Sequence, residues 1–325
     1  MEEQELELTD EIMKSFQQAR IDQDHKTVIN SIDFSDDGTY IITADEVSVH
    51  LFDTRTAKKL KTLHNLVDKI AMVRFTHNST AILCATKKDH KILYWSIHEN
   101  ELIRVYEGHK DAIICLQLNP AKDLFLTSSK DQTLMLWDLA LEETKPIGKM
   151  NLKTKNASAI GNFDPCGLVF AVVYVESVIK EVTTNAVKLY DISNFKDGNF
   201  ASFKVECPEV RFLKFSDNGK YILMSTVENA VILLDAYEGI ILHKLTDHVN
   251  ENSLSLEASF TPDSKYILSG SEDGRIVIWD VKSGALVSSL SAHILPSAVV
   301  RFSPDSALFV SGCKNLIFWL PSKTD

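Results

Sequence analysis

One pattern recurs seven times along this chain, and it constrains the fold more than any other feature. An apolar strand ends in Phe or Leu, and a turn such as SDDG or TPDS follows. A second apolar strand, a polar turn and a third strand ending near Trp-Asp complete the unit. The residues that end the first strands are Phe34, Phe75, Leu118, Phe163, Phe215, Phe260 and Phe302. Subtracting neighbours gives spacings of 41, 43, 45, 52, 45 and 42 residues. A period of about 40–45 residues is that of a four-stranded propeller blade. Segments such as YIIT, IVIWD and LMLWD are rich in β-branched and aromatic residues, which suit buried strands. One blade cannot bury both its faces, whereas blades packed round an axis bury them against each other.

The seven copies predict an all-β, seven-bladed WD-repeat β-propeller. Three stretches carry a Gly-His-like signature ahead of a first strand: Gly108-His109, Asp247-His248 and Ala292-His293. Two of them have a matching turn Asp and terminal Trp. These are His109 with Asp131 and Trp137, and His248 with Asp273 and Trp279. In such repeats the His bonds the turn Asp and a Ser joins the Trp to the network, so all six are read as structural. Copy one lacks a good Ser-x-Asp turn, having ADEVS at Ala44–Ser48. Fourth strands follow several copies, as in AKKLKTLH (Ala57–His64), ELIRVYEGH (Glu101–His109) and GALVSSLSAH (Gly284–His293). The seventh copy has none after it. Glu11–Arg20, EIMKSFQQAR, shows the same apolar spacing. It is expected to be the N-terminal strand that closes the last blade and removes its open edge. Residues 1–10 then form an acidic tail and residues 11–325 the propeller.

Composition narrows the function. The formal net charge of −11 argues against nonspecific binding to a nucleic-acid backbone, and no direct nucleic-acid contact is expected. No apolar run approaches a membrane span, and the acidic start MEEQELELTDE does not look like a signal peptide. Cys84, Cys115, Cys166, Cys207 and Cys313 lack paired spacing, which argues against a disulfide frame or a zinc site. They read as small apolar residues in or near strands, in a reducing compartment. No GxGxxG, P-loop or GxSxG stretch is present, and no cofactor or metal site is expected. The histidines are dispersed: His77 falls in a turn, and His50 and His98 near strand ends, where surface or turn roles are expected. A propeller hydrolase would need a polar cluster in the central channel. The first strands, such as IICLQL and VVRF, read as mostly apolar with no converging acids. The chain is therefore read as a noncatalytic binding platform.

Binding in this architecture falls to loops, because the strands are committed to the core. Lys87, Lys88, Lys110 and Lys130 are expected to converge on blades two and three as a basic patch. It would suit an acidic peptide of a partner, although solvated lysines are the plainer reading of the same residues. The fourth copy carries an insertion, Tyr174–Asn185. It reads either as a longer hairpin that contacts a partner or as a variable loop, the second being preferred.

Several stretches go beyond generic repeats. LEASFTPDSKYILSGSEDGRIVIW (Leu256–Trp279) resembles blade six of the WD repeat-containing protein 82 family. FDPCGLVFA (Phe163–Ala171), LLDAYEG (Leu233–Gly239), NLIFWLPS (Asn315–Ser322), IRVYEGH (Ile103–His109), the FTHN turn (Phe75–Asn78) and LTDEIMKSF (Leu8–Phe16) are similar to the same family. The resemblance covers nearly the whole chain. It implies a noncatalytic subunit of a COMPASS-type complex that methylates lysine 4 of histone H3, and so a nuclear protein. It also implies a SET-domain methyltransferase among the partners, service in RNA polymerase II termination assemblies, and contact with the phosphorylated polymerase tail. A WD-repeat adaptor elsewhere, such as a ubiquitin-ligase substrate receptor, is the alternative. The longer fourth-blade insertion and the acidic start Glu2–Glu7 depart from the family pattern.

Overall fold

The strands of this chain pair into seven antiparallel four-stranded sheets in a computed structural model that describes residues 8–63, 69–152 and 159–322. Six sheets take four consecutive strands in chain order, so each blade forms locally as a meander. The first blade, for example, runs Ser31–Phe34, Tyr40–Ala44, Val49–Asp53 and Lys58–Leu63. The fourth strands after copies two and six are Glu101–Tyr106 and Leu286–Ser291. His64, the end of the segment expected after copy one, lies outside the described residues.

Turn chemistry holds the strands of each blade together. The Asp that ends a third strand accepts backbone N–H groups of the next turn. Asp53 takes Thr56 N at 2.7 Å, Asp138 takes Ala140 N at 2.8 Å, and Asp280 takes Ser283 N at 2.7 Å. Such a side chain replaces the missing backbone acceptor of a tight turn. In the SDDG turn, Ser35 Oγ donates to Asp37 Oδ1 at 2.6 Å, and Gly38 takes φ +66°. A side chain there would be strained and would also run into Asp305 of blade seven.

The seventh sheet joins the two ends of the chain. Its order is Phe16–Asp22, Leu316–Pro321, Phe309–Gly312 and Val299–Phe302. The register runs from Phe16 opposite Pro321 to Asp22 opposite Leu316. The closing strand is shorter at its start than Glu11–Arg20 suggested, because Asp10–Ser15 is helical. Thr9 caps that turn, its side chain accepting from Ile12 N, and Asp10 and Glu11 sit at its positive end. The helix sets Met13 and Phe16 into the core, with the Phe16 ring 4.9 Å from that of Phe309. Leu8 is buried in the same cluster, so the packed chain begins ahead of residue 11. The acidic stretch Glu2–Glu7 lies outside the described residues.

Blade one then seals against blade seven. Ile29 N donates to Cys313 O at 2.6 Å, and Ile29, Ile32 and Phe52 share a core with Val310, Leu316 and Phe318. The fourth-blade insertion is a hairpin extension rather than an irregular loop. Val169–Ile179 pairs with Val182–Asp191 through a two-residue turn, Lys180-Glu181, at φ +49° and +70°. Positive φ at both turn residues matches the twist of the flanking strands. Val178 and Ile179 at its tip are exposed.

Candidate interaction site

Each first strand starts at one face of the ring and ends at the other, so every blade offers two loop sets. The face where first strands begin holds His109, His248 and His293 and the lysines singled out above. In blade three the histidine network is complete. Trp137 Nε1 donates to Thr127 Oγ1 at 2.8 Å, and Thr127 Oγ1 meets His109 Nε2 at 2.7 Å. The indole donates to the Thr hydroxyl, and because the Asp131 carboxylate facing Nδ1 can only accept, a neutral ring leaves Nε2 to accept from that hydroxyl. His109 Nδ1 then carries the proton and faces Asp131 Oδ2 at 3.2 Å. Threonine fills the place where serine was expected. Burial lowers the His109 pKa against the pull of Asp131, which suits a neutral ring. Asp131 also accepts Lys110 N at 2.8 Å, which ties the loop leading into the blade to the turn between its second and third strands.

Blade six does not repeat this arrangement. Trp279 Nε1 donates to Asp247 Oδ2 at 2.7 Å, and His248 Nδ1 has no hydrogen-bond partner. Asp273 is held instead by Arg275 Nε at 2.7 Å. The sequence pairing of His248 with Asp273 is therefore not made. The carboxylate at position 247, where blade three has Gly108, intercepts the indole.

Two networks went unread in the sequence. In blade one, Asp45 does serve as the turn carboxylate, accepting Val47 N at 2.7 Å and Ser48 N at 2.6 Å. It lies 3.6 Å from His25, whose Nε2 meets Thr43 Oγ1 at 3.0 Å. His50, expected near the surface, is buried and bonds Ser48 Oγ at 2.8 Å. In blade seven, Trp319 Nε1 donates to Ser311 Oγ at 2.9 Å, and Ser311 Oγ meets His293 Nε2 at 2.8 Å. Cys313 occupies the acidic position. Of the other cysteines, Cys84, Cys115 and Cys207 are also buried, but Cys166 is exposed.

The four lysines sit on exposed loops of this same face. Lys87 N donates to Lys69 O, and Lys130 N to Ala112 O, so each loop is fastened to the one leading into its blade. The Lys87 side chain is engaged. Glu46 of blade one receives Lys87 at 2.7 Å and Lys69 at 2.8 Å. Those two ammonium groups hold the Glu46 carboxyl down at about 2. Lys110 and Lys130 lie in blade three, beside the His109 network.

The central channel corrects the sequence reading. The residue just before each of the seven strand-ending anchors is polar: Asp33, Arg74, Gln117, Asn162, Lys214, Ser259 and Arg301. All but Arg74 line one cavity of about 530 Å³ at the face where first strands end. Converging acids are present as well. Glu257, almost fully buried, lies 3.0 Å from Lys214 Nζ and 2.9 Å from Arg301 Nη2. Burial opposes its ionisation, yet Arg301, Lys214 and Arg74 bring its pKa to about 2. Asp33 accepts Phe75 N at 2.9 Å across the blade boundary. The missed signal was a polar residue at one fixed offset in every copy, hidden because each is flanked by apolar neighbours.

His77 adds a bridge on that second face. Its Nδ1 lies 2.6 Å from Asp36 of blade one, and its Nε2 lies 3.0 Å from Asn119 O of blade three. Burial opposes its charge, but the Asp36 hydrogen bond and charge prevail and raise its pKa.

Comparison with known proteins places these features. The WD domain, G-beta repeat, matches residues 16–49, 100–138 and 239–280. The chain is 36% identical to WD repeat-containing protein 82 of Drosophila melanogaster, over 98% of this chain and 99% of that one. It is 29% identical to the Set1 complex component swd2 of Schizosaccharomyces pombe, over 68% of this chain and 60% of that one. It is 29% identical to the COMPASS component SWD2 of Saccharomyces cerevisiae, over 67% and 64%.

Proposed function

Since this chain belongs to the WD repeat-containing protein 82 family, we propose that it is a noncatalytic scaffold subunit of a COMPASS-type histone H3 lysine 4 methyltransferase complex. The observation that carries this reading is similarity along almost the full chain to that relative, together with yeast relatives named as Set1 and COMPASS components. The work of such a subunit is nuclear, with a SET-domain methyltransferase among its partners and a further role in RNA polymerase II termination. A noncatalytic role accords with histidines whose ring nitrogens serve the blades, as His109 and His293 do.

The lysine face is the proposed docking surface. Lys110 and Lys130, with Lys87 and Lys88 on the next blade, would meet an acidic or phosphorylated peptide, such as the polymerase tail, through charge-assisted hydrogen bonds. Tagged protein purified from its own cells should bring down a SET-domain methyltransferase. Recovery of a cullin adaptor instead would move the chain to the ubiquitin ligases. Reversing Lys87, Lys88 and Lys130 to Glu should abolish capture while the melting temperature changes little, since exposed ion pairs are worth about 0–1 kcal/mol. Undiminished capture by the folded variant would remove the lysines from the interface.

A further inference from the structure

Blades seven and one meet along a groove at the rim of the face where first strands end. Its cavity is about 940 Å³. The floor is apolar. Ala19, Ala307, Leu320 and the buried Phe318 ring come from blade seven, and Ala57 comes from blade one. Arg20 pairs opposite Phe318, so the two share one side of the closing sheet, the side that faces blade one. Arg20 Nη1 donates to Thr56 O at 3.4 Å, and Arg55 lines the groove on that same turn of blade one. Both arginines are exposed, and among the described residues neither forms an ion pair. The one carboxylate in the lining, Asp305, accepts Ser303 Oγ at 2.8 Å. Neighbouring Asp53 accepts Thr56 N at 2.7 Å and Thr56 Oγ1 at 2.6 Å. The groove therefore sets two open guanidinium groups over an apolar floor.

We propose that this groove docks an extended acidic peptide segment of a partner protein. An aliphatic side chain of that segment sits on the floor, and its carboxylates meet Arg20 and Arg55. The planar guanidinium fork matches a carboxylate at two points, which an ammonium does not. A cavity of this size takes several side chains rather than one small ion. Charge complementarity of this kind selects the partner and its register. The walls come from the closing strand, the last strand and blade one, so the occupant bridges the joint at which the ring closes. The groove lies at the opposite end of the blades from the lysine face and is independent of the docking proposed there.

Fluorescence anisotropy of the full chain with a labelled peptide of alternating glutamate and leucine, at constant ionic strength, tests this. Binding should saturate and should raise the melting temperature, because a ligand of the folded state stabilises it. Arg20→Gln combined with Arg55→Gln should weaken the affinity at least about tenfold, the loss of charge-assisted contacts. Both side chains are exposed, so this variant keeps the fold. Leu320→Glu places a carboxylate on the floor and should weaken binding by a similar factor. Reversing Lys87, Lys88 and Lys130 to Glu should leave the affinity for this peptide unchanged, which separates the groove from the lysine face. No saturable binding to the parent, equal affinity in the parent and the double arginine variant, or loss of binding on lysine reversal instead, would overturn the proposal.

Discussion

Cys313 Sγ lies 3.0 Å from His293 Nδ1, in the position that Asp131 occupies beside His109 in blade three. Both histidines use Nε2 on the hydroxyl that also receives the tryptophan N–H. The difference is one of charge. A neutral thiol cannot offset burial, which pushes His293 down to about 4. Cys313→Asp should therefore raise the His293 pKa, read from the imidazole signals by NMR titration. An unmoved His293 would show that the two positions are not equivalent.

Thr127 is the joint of the blade-three network, linking Trp137 to His109. Thr127→Val keeps the shape but leaves two buried polar groups unpaired, at a cost of about 2 kcal/mol. Chemical denaturation measures it. A loss below a few tenths would mean that water replaces the hydroxyl.

Closure by Phe16–Asp22 predicts a steep dependence on the first residues. Deleting residues 1–24 exposes the outer edge of Leu316–Pro321 and removes Met13 and Phe16 from the core. Phe16→Ala alone should cost about 3–5 kcal/mol, the usual range for a buried Phe. A truncated chain that melts like the parent would refute closure.

Acid should unfold this protein through its buried histidines. Burial lowers the pKa of His25, His50, His109, His248 and His293, with His50 and His293 near 4. Each is protonated more readily unfolded than folded, so stability present near neutrality is lost as pH falls below about 6.5. His77 has the opposite sign. Its folded pKa is raised, so its contribution is full below the unfolded value and fades as pH rises through the folded one. The melting-temperature difference between parent and His77→Gln should shrink from pH 6 to pH 8. A constant difference would assign His77 a packing role alone.

The repeat itself determined most of the architecture. Seven anchors at blade spacing fixed the number of sheets, because a strand meander is built from neighbours in sequence and each turn carries its own acceptor, as Asp53 and Asp138 do. The need for an N-terminal closing strand was legible too, since a fourth strand was missing at one end of the chain. Its boundaries were not, because the Thr9 cap competes locally with strand apolar spacing. Tertiary structure alone decided which polar side chains meet. Trp279 turns to Asp247 rather than into a network with His248. The ring from Asp33 to Arg301 is dispersed through the sequence at one residue per blade. Only closure round an axis brings those seven positions together, and burial there turns ordinary strand residues into a charged cluster.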